Sequence, residues 1–140
     1  MSEPSIVLIC GDLMFQAKVQ DTARHFKVAV HVARNEGDVL SKVLMYKPAL
    51  VLLDLSFEGV HPLKIVEKLK SDPKLKQYKV LAFGPHVERD LFAAAKHAGC
   101  DEVMARSMFS ASLAKIMANL VETSSMGQIR PQQVSDEDLP

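Results

Sequence analysis

Asp54 closes the run Ala49-Leu50-Val51-Leu52-Leu53, so an ionisable carboxylate ends the most apolar strand-length stretch of the chain. A carboxylate placed there suits nucleophilic or cation-binding chemistry, and it equally suits a loop that needs an acceptor for backbone N–H groups. Asp12 directly precedes Leu13, where capping a helix is a simpler role than ligating a metal. His61 and His86 fall in segments that read as loops, and with Asp12 and Asp54 they form a candidate transition-metal set. No His-xxx-His or CxxC spacing supports that set. Cys10 and Cys100 are the only thiols and read as small core residues rather than a disulfide or metal pair.

Hydrophobic periodicity supplies the elements that position these residues. Ile6 to Cys10 is a continuous apolar run ending at Gly11-Asp12, the pattern of a strand buried on both faces. From Leu13 to Phe26 the period changes, with Phe15, Val19 and Phe26 at helical spacing. Val28 to Val32 is a second strand, and Asn35 caps a second helix carrying Val39, Leu40, Val43 and Leu44. Lys47-Pro48 stops that helix before the strand that ends on Asp54. Pro62 opens a third helix through Lys70, Lys79 to Phe83 is a fourth strand, and Gly84-Pro85 turns the chain into a helix from Val87 to Ala98. Gly99 caps it, Asp101 to Ala105 is a fifth strand, and a last helix runs from about Met108 to near Glu122. Met108 and Met117 on it read as core.

Five strands alternating with five helices predict a doubly wound α/β fold built on a parallel sheet. Its functional crevice lies beyond the carboxyl ends of the strands, which gathers Gly11, Asp12, Asp54, Gly84 and Arg106 at one edge. One domain over residues 1–122 is expected, followed by a disordered polar and acidic tail over 123–140 that ends in Ser135-Asp136-Glu137-Asp138. Seventeen acidic and seventeen basic residues cancel, which gives nucleic acid or an anionic membrane no electrostatic handle. No apolar run approaches membrane-spanning length and no secretory leader is visible, so a cytoplasmic protein is expected.

Val51-Leu52-Leu53-Asp54-Leu55, then Leu63 to Val66, Leu69 to Pro73 and Tyr78 to Leu81, resembles the middle of response-regulator receiver domains. Gly99-Cys100-Asp101-Glu102 is similar to the Gly-Ala-Asp-Asp element of the same family. The resemblance covers roughly residues 5–122. It implies the flavodoxin-like receiver fold with strand order 2-1-3-4-5, and a switch in which an aspartate takes a phosphoryl group from a histidine kinase beside a magnesium ion. Asp54 matches that phosphoacceptor.

Its surroundings depart from the family pattern. The paired acids at the end of the first strand fall on Cys10 and Gly11, so magnesium would rest on Asp54, the Ser56 carbonyl, water and Asp12, and is expected to bind weakly or not at all. The hydroxyl residue that turns toward the phosphoryl oxygen falls on Gly84. The lysine after the fifth strand falls on Arg106, with Ser107 in place of the following proline, and the aromatic switch residue falls on Val103. An Arg106–Asp54 ion pair filling the space of metal and phosphate is the expected arrangement.

Three functions follow. One is a stand-alone pseudo-receiver that docks on a protein partner, either a histidine kinase or a downstream signalling protein, or pairs with itself through the face from the fourth helix to the fifth. Another is an atypical phosphoacceptor in a two-component phosphorelay, using Asp54 with Asp12 and Arg106. The third, a small flavodoxin-like enzyme or cofactor carrier, lacks any glycine-rich phosphate loop, nucleophile elbow or Cys-x5-Arg loop, and no catalytic residue is assigned.

Overall fold

The computed structural model describes residues 3–126. Strands β1 (Ser5–Ile9), β2 (Ala29–Ala33), β3 (Leu50–Asp54), β4 (Val80–Gly84) and β5 (Glu102–Ala105) form one sheet in the order β2-β1-β3-β4-β5. All four pairings are parallel. Helices α1 (Leu13–His25), α2 (Glu36–Tyr46), α3 (Pro62–Ser71), α4 (Arg89–Ala98) and α5 (Arg106–Met126) alternate with the strands. This is the expected doubly wound order, with β1 and β3 at its centre and the order reversing between them.

Strand alternation divides the core into two layers. Val7, Ile9, Val51, Leu53, Val80 and Ala82 pack with Val39, Val43, Ile65, Val66, Leu69 and Ala95 of α2, α3 and α4. Ile6, Leu8, Leu52, Leu81 and Phe83 point the other way, against Val19 and Ala23 of α1 and Phe109, Leu113 and Met117 of α5. Both faces of β1, β3 and β4 are therefore buried, which is why these strands read as unbroken apolar runs. Each such side chain contributes about 1.5–3 kcal/mol when fully buried.

Local signals set most boundaries. The Asn35 side chain accepts from the Asp38 N–H at 2.8 Å and caps α2, which ends where Lys47 turns into the left-handed region at φ 46°. Three expectations change. Helix α4 starts at Arg89 rather than Val87, which leaves Val87 in the loop before it. Helix α5 starts at Arg106, directly after β5, and runs to Met126 rather than ending near Glu122; the rest of the expected tail, residues 127–140, lies outside the described residues. Met108 is 57 % exposed, because in the first turn of α5 it is its neighbour Phe109 that faces the sheet. Among the described residues no helix is long and apolar enough to cross a membrane.

Candidate functional site

The carboxyl ends of β1, β3 and β5 bring Cys10, Asp12, Asp54 and Arg106 together. Asp54, the last residue of β3, is the one buried charged residue among the described residues, at 2 % exposure. Its Oδ1 accepts from the Ser56 N–H at 2.9 Å, and its Oδ2 accepts from Arg106 Nη2 at 2.9 Å and from the Cys10 thiol at 3.4 Å. Both oxygens are thus occupied by donors of the protein itself. A carboxylate removed from water needs such partners to stay charged.

Arg106 is the first residue of α5, and its side chain lies back over the crevice. Its Cζ lies 4.8 Å from the Phe15 ring centre and 5.3 Å from that of Phe83, so aromatic π-faces support the guanidinium while its fork reaches Asp54. Phe83 in turn stacks on Phe109 with centroids 4.5 Å apart and planes 2° from parallel. Three helix and strand ends therefore fix the position of one cation. Arg106 Nη1 lies 4.0 Å from Asp12 Oδ2, at the limit of an ion pair.

Asp12 spends its other oxygen on the helix. Oδ1 accepts from the Met14 and Phe15 N–H groups at 3.0 and 3.2 Å, the expected N-cap of α1. The Gln16 Nε2 donates to the Cys10 carbonyl at 2.6 Å and ties the β1–α1 turn down. Burial first of all, and the nearby Asp54 charge, push the Cys10 thiol up to about 11, although the Asp12 backbone contact opposes them. The thiol is therefore neutral at pH 7 and serves as a hydrogen-bond donor to Asp54.

The remaining predicted positions separate. Gly84 is buried at the end of β4 opposite Ala105, and a Cβ there would lie 3.3 Å from the Leu55 Cβ. Val103 is partly buried, opposite Ala82. His61 is the N-cap residue of α3 but makes no side-chain cap bond, and it borders a cavity with Leu55, Pro62 and Leu91. His86 instead borders a cavity of about 410 Å³ with Phe15, Lys18, Arg106 and Ser110. Among the described residues no three His, Cys, Asp or Glu side chains gather to hold a metal ion, so the transition-metal set does not form. The two imidazoles follow different strands and line different cavities.

For a hard divalent cation the crevice offers little. It has one carboxylate bound on both oxygens, a second engaged in capping, a protonated soft thiol, and a guanidinium where cationic charge would be added. The donor set does not fit magnesium. Phe15, Phe83, Phe109 and Gln16 complete the site without being marked as site residues by the sequence pattern. Phe15 had a signal in the α1 stripe, whereas the other three carry none that distinguishes a site residue from core or surface.

No family model and no curated protein matches the sequence. Solved structures do match, and they are response-regulator receiver domains. The receiver domain of a DNA-binding response regulator from Colwellia psychrerythraea superposes with a TM-score of 0.74 at 23 % identity, covering 86 % of this chain and 99 % of its own. One from Bermanella marisrubri gives 0.73 at 21 % identity over 86 % and 99 %. A CheY-like receiver domain protein from Methanospirillum hungatei gives 0.73 at 14 % identity over 90 % and 99 %. The fold is the flavodoxin-like receiver fold.

Proposed function

We propose that the chain is a receiver-type signalling module that acts by docking on a protein partner, with a phosphorylation site too degenerate to drive a switch. One observation carries the reading. Arg106 reaches Asp54 Oδ2 directly at 2.9 Å, the Cys10 thiol donates to the same oxygen, and the Ser56 N–H donates to Oδ1. A phosphoryl donor must approach the outer oxygen of the acceptor with a cation bridging both groups, and here the oxygens are shielded and the compensating charge is built in. Magnesium is weakly bound or not bound in this reading.

Docking rather than catalysis also accords with the surface around the crevice. Val87, in the loop before α4, is 73 % exposed and Met108, in the first turn of α5, is 57 % exposed. Exposed apolar side chains on neighbouring elements suit a protein interface. The partner in this reading is a histidine kinase, a downstream signalling protein or a second copy of the chain docking across α4, β5 and α5.

Intact mass after treatment with acetyl phosphate and Mg²⁺ tests the proposal, with Asp54→Asn as control. The expected result is no adduct on either protein. A phosphoryl adduct on the wild type that is lost in Asp54→Asn would replace this reading with that of an atypical phosphoacceptor.

A further inference from the structure

Position 11 holds glycine for a reason that lies across the crevice. In the β3–α3 loop the Phe57 N–H donates to the Asp54 carbonyl at 3.2 Å, and the turn swings the ring over the end of β1. A Cβ at Gly11 would stand 2.7 Å from both Cδ1 and Cε1 of Phe57, closer than non-bonded carbons approach. A Cβ at Gly59 would stand 2.5 Å from Cε1 and 2.9 Å from Cζ of the same ring. Phe57 is thus wedged between two glycines and packs on the core layer of Ile9, Leu53 and Val60.

Backbone conformation does not explain the glycines. Among the described residues Gly99 is the glycine with positive φ, so any L-residue could adopt the backbone of Gly11 or Gly59. What a side chain at either position would meet is the Phe57 ring, which must move to admit it. Position 11 is also where the receiver pattern calls for one of its metal-binding acids.

The geometry points to Phe57 as the residue that decides what position 11 can carry, and so as a steric bar to a divalent cation beside Asp54. This rests on the reading of the crevice as closed to phosphoryl chemistry. It adds that the closure is packed in from the β3–α3 loop and is not merely a lost carboxylate: an acid restored at position 11 must displace the ring before it can ligate.

A double-mutant cycle of Gly11→Asp and Phe57→Ala tests it by two readouts. In thermal melts, the fall in Tm caused by Gly11→Asp is expected to be at least halved when Phe57 is Ala, and Gly11→Asp failing to fold while the double variant folds counts the same way. Equal falls in both backgrounds overturn the proposal. In calorimetric titration with Mn²⁺, every variant also carries Arg106→Lys to take the fork off Asp54. The double variant is expected to bind roughly tenfold tighter than Gly11→Asp alone, and to lose that gain with Asp54→Asn. Equal affinities with and without Phe57 overturn it. An Asp54 adduct on the wild-type protein would instead refute the closed-crevice reading, and neither readout of the cycle uses phosphorylation.

Discussion

Two ion pairs stand at opposite edges of the sheet, and they do different work. At the amino edge Lys70 of α3 reaches Asp101 at 2.8 Å, and its ammonium also donates to the Tyr78 and Lys76 carbonyls at 2.8 and 3.3 Å. Asp101 Oδ2 accepts from the Val80 N–H at 2.7 Å, so the pair staples α3 and the loop after it to the starts of β4 and β5. Gly99 makes room for it, since at φ 122° a Cβ would fall 2.8 Å from the Lys70 Cγ. At the carboxyl edge Arg106 and Asp54 instead join a helix start to a strand end. Here, however, the acid is 3 % exposed against 39 % for Asp101, and it lies in the crevice beyond the carboxyl ends of the strands. The difference shows one ion-pair motif tying loop to strand starts at one edge and neutralising a buried acid at the other.

The comparison breaks most visibly at the buried acid. Arg106→Ala leaves the buried Asp54 without its cation, an expected loss of about 3 kcal/mol in urea unfolding, the low end for a buried pair because Arg106 is itself about a third exposed. Asp54→Asn should cost only about 1 kcal/mol, since the guanidinium keeps solvent and the aromatic rings, and an amide oxygen can still accept from Ser56. Equal losses would mean that burial of Asp54 does not set the energetics of the pair. Lys70→Met should fall between them, at about 2 kcal/mol, because three acceptors lose a charged donor while Asp101 retains the Val80 N–H and water.

The sequence carried the topology because periodicity and turn residues are local: β3 had to be buried on both faces, and Pro48 and Pro62 had to bound their helices. Asp54, Arg106 and the Asp12 cap were legible for the same reason, each sitting at a strand or helix end. The Phe57 wedge was not, because its meaning lies in Gly11 and Gly59, and only the folded loop brings the ring between them. Nor was the Phe15, Phe83 and Phe109 cluster under Arg106, which draws one ring each from α1, β4 and α5. Helix α5 continues past Glu122 although Thr123, Ser124 and Ser125 are weak helix formers, which is why the pattern reads as stopping there.

The amino-edge staple should also show in acid. Burial pushes the Asp101 carboxyl up, but the hydrogen bonds from Lys70 and the Val80 N–H outweigh it and hold the group below its usual 3.8. A depressed folded value means that this contribution is present at neutral pH and is lost as pH falls below 3.8 through the folded value. Asp101→Asn should therefore be less stable than the wild type at pH 7, with the gap narrowing below pH 3.8 in urea titrations. A gap independent of pH would assign the staple to shape rather than charge.

The smallest effect separates the two edges by their thiols. Cys10 lies in the crevice and Cys100 at the amino edge between α4 and β5, and burial is the main force pushing each from 9.0 to about 11. A raised folded value stabilises the native state fully below pH 9.0, and that contribution is lost as pH rises toward about 11. Cys10→Ala and Cys100→Ala should each flatten the alkaline limb of stability slightly, and iodoacetamide at pH 9 should label the native protein far more slowly than the urea-unfolded chain. The two sites should then diverge with Phe57. If the ring packs the crevice shut, Phe57→Ala speeds labelling of Cys10, which neighbours Gly11, and leaves Cys100 at its wild-type rate. Equal acceleration of both thiols would mean that labelling follows opening of the whole domain, and the crevice would then be no more separately closed than the stapled edge opposite.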